Sequence, residues 1–209
     1  MPVLFAELLA HPGVSEVLEL RSPFGFMAFH GGSLEEMTDV VAAAAAQRSG
    51  SSLYAVLQPP DLRWHIPSTK VRPDASPALA RFLGHVDVAV AVHGYGREGM
   101  WTTLLLGGTN RALAGHLRRH LDTALPMYEH LDDVERIPRP LRGLHPENPV
   151  NLPPGGGVQL ELPPRVRGRS PVWADFTGPG LVPHTEALID ALAAAACSWP
   201  PGDPVDQPI

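Results

Sequence analysis

FGFMAFHGGSLEEMTD, residues 24–39, runs from an apolar stretch into His30, two glycines and a pair of adjacent acids. FGFMAF has the length and aromatic content of a buried strand. LEEMTDVVAAAAAQR (34–48) is alanine-rich with its acids in the first turn, as a helix dipole prefers. Ser33 and Glu36 match a capping box, with Ser33 as N-cap and Glu36 at N3, which leaves Glu35 free. The stretch therefore reads strand–tight turn–helix. His30 falls at the carboxyl end of the strand, where open α/β sheets place their ligands.

The same alternation continues along the chain. SLYAVLQ (52–58), VDVAVAV (86–92), WTTLLLGG (101–108) and GVQLEL (157–162) have strand character. SPALARFLG (76–84), TNRALAGHLRRHLDTAL (109–125) and HTEALIDALAAAACSW (184–199) have helical composition. The expectation is an α/β three-layer sandwich around a mixed, largely parallel sheet. Residues 136–156 are too rich in proline and glycine for a regular element. A loop that long inside a compact domain is often functional. Residues 1–198 read as one domain and 199–209 as a disordered proline-rich tail.

Composition narrows the function. The 209 residues suit one domain with a sizeable core, and 44% hydrophobic against 18% charged residues argues against bulk disorder. The net charge of −6 offers no basic field for nucleic acid or a membrane surface. Of the 16 basic residues only Lys70 is a lysine, and no function follows from that. Cys197 is the sole cysteine, which excludes an intrachain disulfide and a cysteine-rich zinc cluster. No positive region opens the chain and no apolar run reaches about 18 residues, so a cytoplasmic location is the default expectation.

His30 and Glu35 are too far apart for one face of a helix, but across a turn they converge. On composition alone a helix cap beside a satisfied histidine is the favoured explanation. His93 adds weight, because it too ends an apolar strand. Two imidazoles and one carboxylate with a fourth position open are the ligand set of a catalytic zinc site, and zinc suits that set better than manganese or iron. Glu161 lies in an apolar strand, on the same face as Gln159. A buried carboxylate is costly unless paired or functional, which makes Glu161 a candidate general base; an exposed edge-strand acid is the alternative. GYGREG (94–99) matches a dinucleotide fingerprint, but a strand rather than a helix follows it, so it reads as a glycine-rich turn. His116 and His120 have metal-site spacing without the accompanying acid, and read as a solvated basic helix face.

HGGSLE (30–35), HIPST (65–69), VHG (92–94), GGTN (107–110), NPVN (148–151) and GVQLEL (157–162) occur in that order over about residues 20 to 170. Together they resemble the phage-type poly-gamma-glutamate hydrolases. The resemblance implies a phage-related, zinc-carboxypeptidase-like amidohydrolase acting on an anionic, peptide-like substrate. It implies one zinc ion on His30, Glu35 and His93, with Glu161 as catalytic carboxylate. It implies that His65, Ser68, Asn148 and Asn151 line the cleft. Arg97 or His65 would then be the donor to the oxyanion. Four positions depart from the family pattern: Phe29 stands for a proline, Glu36-Met37 for Pro-Gly, and Leu152 for an arginine. Arg136, Arg139 and Arg142, with Arg165, Arg167 and Arg169, offer a basic rim in its place, Arg142 above all; solvated loop arginines are the equal alternative. A hydrolase of small N-acyl amino acids or other isopeptides, and a metal-binding module without turnover, are the other readings.

Overall fold

The computed structural model describes residues 4–200. After a short helix α1 (Phe5–Leu9) come strands β1 (Ser15–Glu19) and β2 (Ser22–Gly32), helix α2 (Thr38–Ser49), strand β3 (Ser51–Gln58) and helix α3 (Pro77–Leu83). Strands β4 (Val88–Gly94) and β5 (Thr103–Leu106), helix α4 (Arg111–Ala124), strands β6 (Glu129–Leu131) and β7 (Gly157–Leu162) and helix α5 (Pro183–Ser198) complete the chain. The strands form one seven-stranded sheet in the order β1-β3-β2-β4-β7-β5-β6. β3, β2, β4 and β7 run parallel to one another, while β1 and β5 pair antiparallel to that block. The sheet is thus mixed and its centre parallel, as the alternating pattern predicts.

Strand alternation sorts the core into two layers. Phe24, Phe26 and Ala28 of β2, Val88, Val90 and Val92 of β4, and Val158, Leu160 and Leu162 of β7 pack with α2, α4 and α5. Met27, Phe29, Ala89 and Ala91 face the other way, towards α1, α3 and the chain around Leu62 and Ile66. Each fully buried Val, Leu or Phe contributes about 1.5–3 kcal/mol. On α4 the buried residues are Leu113, Ala114, Leu117 and Leu121, one stripe at helical spacing.

The order of the strands places a crevice. From β2 the chain crosses through α2 to β3 on one side; from β3 it crosses through α3 to β4 on the other side of β2. α2 and α3 accordingly lie on opposite faces. The switch point falls between β2 and β4, outside their carboxyl ends. Those ends carry His30 and His93.

Three expectations change. The capping box does not form: Met37, at φ 77°, is the N-cap residue and α2 starts at Thr38. The Ser33 hydroxyl instead donates towards the carbonyls of Pro59 and Leu62. Trp199, assigned to the tail, packs edge-on against His116, with ring centroids 5.3 Å apart; residues 201–209 lie outside the described residues. His116 and His120 are not a purely solvated face, because both Nε2 atoms meet the Ser198 hydroxyl of α5, at 3.2 and 3.1 Å. Among the described residues no helix is long and apolar enough to cross a membrane.

Candidate metal centre

The turn after β2 is closed by its own backbone. The Glu35 N–H donates to the His30 carbonyl at 2.9 Å, which folds the two residues onto each other. The glycines between them are required by space. A Cβ on Gly31 would sit 2.7 Å from the Asp39 side chain, and one on Gly32, at φ +70°, would sit 2.3 Å from the Gln58 carbonyl oxygen. A register shift between Ala28 and Gly31 interrupts the alternation of β2 and re-aims His30 towards the Phe29 face.

There the side chains converge. His30 Nδ1 lies 2.9 Å from Glu35 Oε1, and His93 Nδ1 lies 3.2 Å from Glu35 Oε2. The ring centroids of His30 and His93 are 5.0 Å apart. One ligand atom from each of His30, Glu35 and His93 falls within 4.8 Å of the others. The Gly94 N–H donates to Glu35 Oε2 at 2.9 Å, fixing the carboxylate against the end of β4.

Protonation tests whether a metal suits this set. His30 Nε2 donates to the Ile66 carbonyl at 2.8 Å. Its Nδ1 therefore presents a lone pair to a carboxylate oxygen unless a cation, either a proton or a metal ion, lies there. An outward N–H on a backbone carbonyl with the other nitrogen turned inward is the arrangement of metal-bound imidazoles. Burial alone would raise the Glu35 carboxyl, but the charges of His93 and His30 and hydrogen bonds from both rings outweigh it and hold Glu35 well below the usual carboxylate range. For His93 burial pulls downward, while the Glu35 carboxylate outweighs it and raises the imidazole. The residues fit a divalent cation.

Glu161 is the register partner of His93 across β4 and β7, so the two share a face. It is buried, and that burial pushes its carboxyl above the ordinary value. Gln159 Nε2 donates to Glu161 Oε1 at 2.8 Å, and Asn148 Nδ2 donates to Gln159 Oε1 at 2.7 Å. Both the exposed edge-strand reading of Glu161 and the helix-cap reading of Glu35 are set aside.

His30, Glu35, His93 and Glu161 open into a cavity of about 800 Å³. His65, Ser68, Asn148 and Arg142 line it. Gln159, Thr69, Arg139 and His145 line it as well. Two expected residues do not. Arg97 is exposed on the loop after β4, away from the cavity wall. Asn151 is a loop clamp: its Oδ1 accepts from Thr109 N and Oγ1, and its Nδ2 donates to the Gly143 and His145 carbonyls. Of the six arginines expected at the rim, only Arg139 and Arg142 reach the cavity. Arg142 is held by the Glu135 carboxylate, at 3.2 Å, and the Ile137 carbonyl. Arg136 pairs with Glu129, and Arg169 with Glu36. Arg165 lies 6.0 Å from the Tyr128 ring centre. Arg167 is buried.

The family model described as Poly-gamma-glutamate hydrolase matches residues 6–177. The fold is similar to a bacteriophage poly-gamma-glutamate hydrolase, with a TM-score of 0.71 and 21% identity over 88% of this chain and 87% of that one. It is similar also to a structure described as "YNDL-apo (Zinc-free)", with a TM-score of 0.73 and 22% identity over 91% and 94%. A candidate carboxypeptidase from Burkholderia mallei follows at a TM-score of 0.51 and 11% identity, over 90% and 64%. No curated protein matches the chain.

Proposed function

Since the chain belongs to the poly-gamma-glutamate hydrolase family, we propose that it is a zinc-dependent amidohydrolase that cleaves γ-glutamyl amide bonds. The convergence of His30, Glu35 and His93 beside a buried Glu161 carries this reading. A zinc ion held by those three side chains supplies Lewis acidity towards water and towards the scissile carbonyl. Glu161 takes the proton of the attacking water and passes it to the leaving nitrogen. Its raised pKa suits a group that must both accept and give a proton near neutrality. Gln159 and Asn148 orient it, because each amide is spent on the next link of the chain.

The wall supports an anionic, peptide-like substrate. Arg139 makes no ion pair among the described residues, whereas Arg142 is already engaged by Glu135. Arg139 is therefore the cation best able to meet a substrate carboxylate. His65 stands on the opposite loop, its ring centroid 4.9 Å from that of His30, and takes the part of donor to the oxyanion in place of Arg97.

The test is zinc analysis of the purified protein together with kcat/KM for γ-linked polyglutamate and for N-acyl glutamates, before and after chelation. The expected result is stoichiometric zinc, preference for the γ-linked polymer, and activity lost on chelation and restored by zinc. Hydrolysis indifferent to the chelator overturns the reading. Preference for the small N-acyl compounds moves the substrate and leaves the chemistry.

A further inference from the structure

Arg167 is the only buried arginine among the described residues, at 8% exposure. Its guanidinium makes no ion pair among them. It is spent on backbone: Nη1 donates to the Glu36 carbonyl at 2.7 Å, Nε to the Leu162 carbonyl at 3.2 Å, and Nη2 to the Tyr95 carbonyl at 3.5 Å. The acceptors are not a random set. Glu36 follows Glu35, Leu162 follows Glu161, and Tyr95 lies just beyond His93. Gly94 roofs the group, and a Cβ there would come within 2.8 Å of Arg167 Cζ.

We propose that Arg167 is a positioning residue for the centre, its guanidinium pinning together the three segments that carry Glu35, His93 and Glu161. The chemistry requires this residue type. Only arginine presents a rigid fork of donors wide enough for three carbonyls in different directions, and it stays charged when buried. Charged donors also make stronger bonds to carbonyls than neutral ones. The positive charge acts on the half-buried Glu35 and the buried Glu161, and Arg167 is not among the residues that line the cavity, so it offsets their repulsion without occupying the cleft. Burial lowers its pKa and the Glu35, Glu36 and Glu161 carboxylates act in the opposite sense.

This inference rests on the metal-dependent reading above. The test is the zinc affinity of the full chain, measured by competition with a chelator, for wild type, Arg167→Met, Arg167→Lys, Gly94→Ala and Arg169→Ala. Arg167→Met is expected to bind zinc about 10- to 100-fold more weakly, as loss of groups that orient metal ligands does. At saturating zinc its kcat falls about tenfold or more with KM little changed, because the ligands and the base no longer hold their relative places. Arg167→Lys recovers only part, since one ammonium cannot span three carbonyls. Gly94→Ala keeps the charge but displaces the guanidinium, and weakens zinc in the same direction. Arg169→Ala, which removes only an exposed pair to Glu36, keeps the wild-type affinity. Wild-type affinity in both Arg167→Met and Gly94→Ala overturns the inference, whatever their melting temperatures; if Arg167→Met does not fold, Gly94→Ala decides alone. If wild type binds zinc but hydrolyses no amide, the functional reading falls and the affinities still decide the pin. If wild type binds no zinc, both fall.

Discussion

Glu161 depends on a neighbour for its orientation and on burial for its basicity, and the two can be separated. Gln159 anchors one carboxylate oxygen, which on the proposed reading leaves the other for substrate. Replacing Glu161 with Gln keeps the shape and removes the proton acceptor. The expected loss in kcat/KM is about 10²- to 10⁴-fold, with zinc content unchanged. Turnover at the wild-type rate would remove Glu161 from the mechanism. His30→Ala and His93→Ala act on the other half of the site: each is expected to lose zinc and activity together, by elemental analysis and assay on one preparation. These residues were legible in the sequence because each breaks a local rule, a titratable side chain at the end of or within an apolar strand. Arg97 and Asn151 were misplaced because they obey local rules in loops, where spacing does not fix direction. Arg167 was grouped with its neighbours Arg165 and Arg169, and nothing in sequence separates a guanidinium that turns inward from two that do not.

At the scale of the element, the turn after β2 stores its geometry in backbone conformation. Gly32 is left-handed and Met37 adopts the same region at some cost in strain. Gly32→Ala is expected to lower stability by about 2 kcal/mol or more, since it adds both strain and a backbone clash. It should also weaken zinc, by pulling Glu35 from His30; an unchanged denaturation midpoint would show that the turn adapts. The start of α4 makes a second case. Asn110 caps it by accepting from the Leu113 N–H, and donates to the Gly155 carbonyl. Asn110→Ala should cost about 1–2 kcal/mol in chemical denaturation. The elements that sequence reading finds are those with long periodic runs. β1 and β6 escaped it because SEVLE and EHL are short and largely polar, so their strand state comes from pairing with β3 and β5. The start of α2 was misread because the Ser33 hydroxyl found carbonyls from a segment 26 or more residues away.

For the whole molecule, acid sensitivity is expected from histidines packed away from the cleft. His130 is buried, its Nδ1 2.7 Å from Asp122 and its Nε2 without a partner among the described residues. Burial holds its pKa below the ordinary 6.5, with Asp122 opposing. His184 is lowered by burial and by Arg165. A histidine whose folded pKa is depressed binds its proton more readily when unfolded, so stability is full above about pH 6.5 and declines as pH falls towards the folded values. Melting temperatures of the metal-free protein should therefore drop between about pH 6.5 and 5, and His130→Asn should flatten part of that slope. A profile flat across that window would exclude these side chains as its source. Layering and the parallel centre were readable from alternation. The strand order was not, because no local pattern records which side of β2 the chain will cross to.

That crossing has a practical outcome for anyone wishing to redesign the protein. The proposed ligands and base are rooted at the ends of β2, β4 and β7 or in the turn that closes onto β2, whereas His65, Ser68, Arg139 and His145 hang from two excursions of chain outside the sheet. On the proposed reading the arginine that would meet the substrate is thereby housed apart from the ligands and the base, so that grafting residues 132–147 from another scaffold should change the choice of substrate while sparing catalytic power.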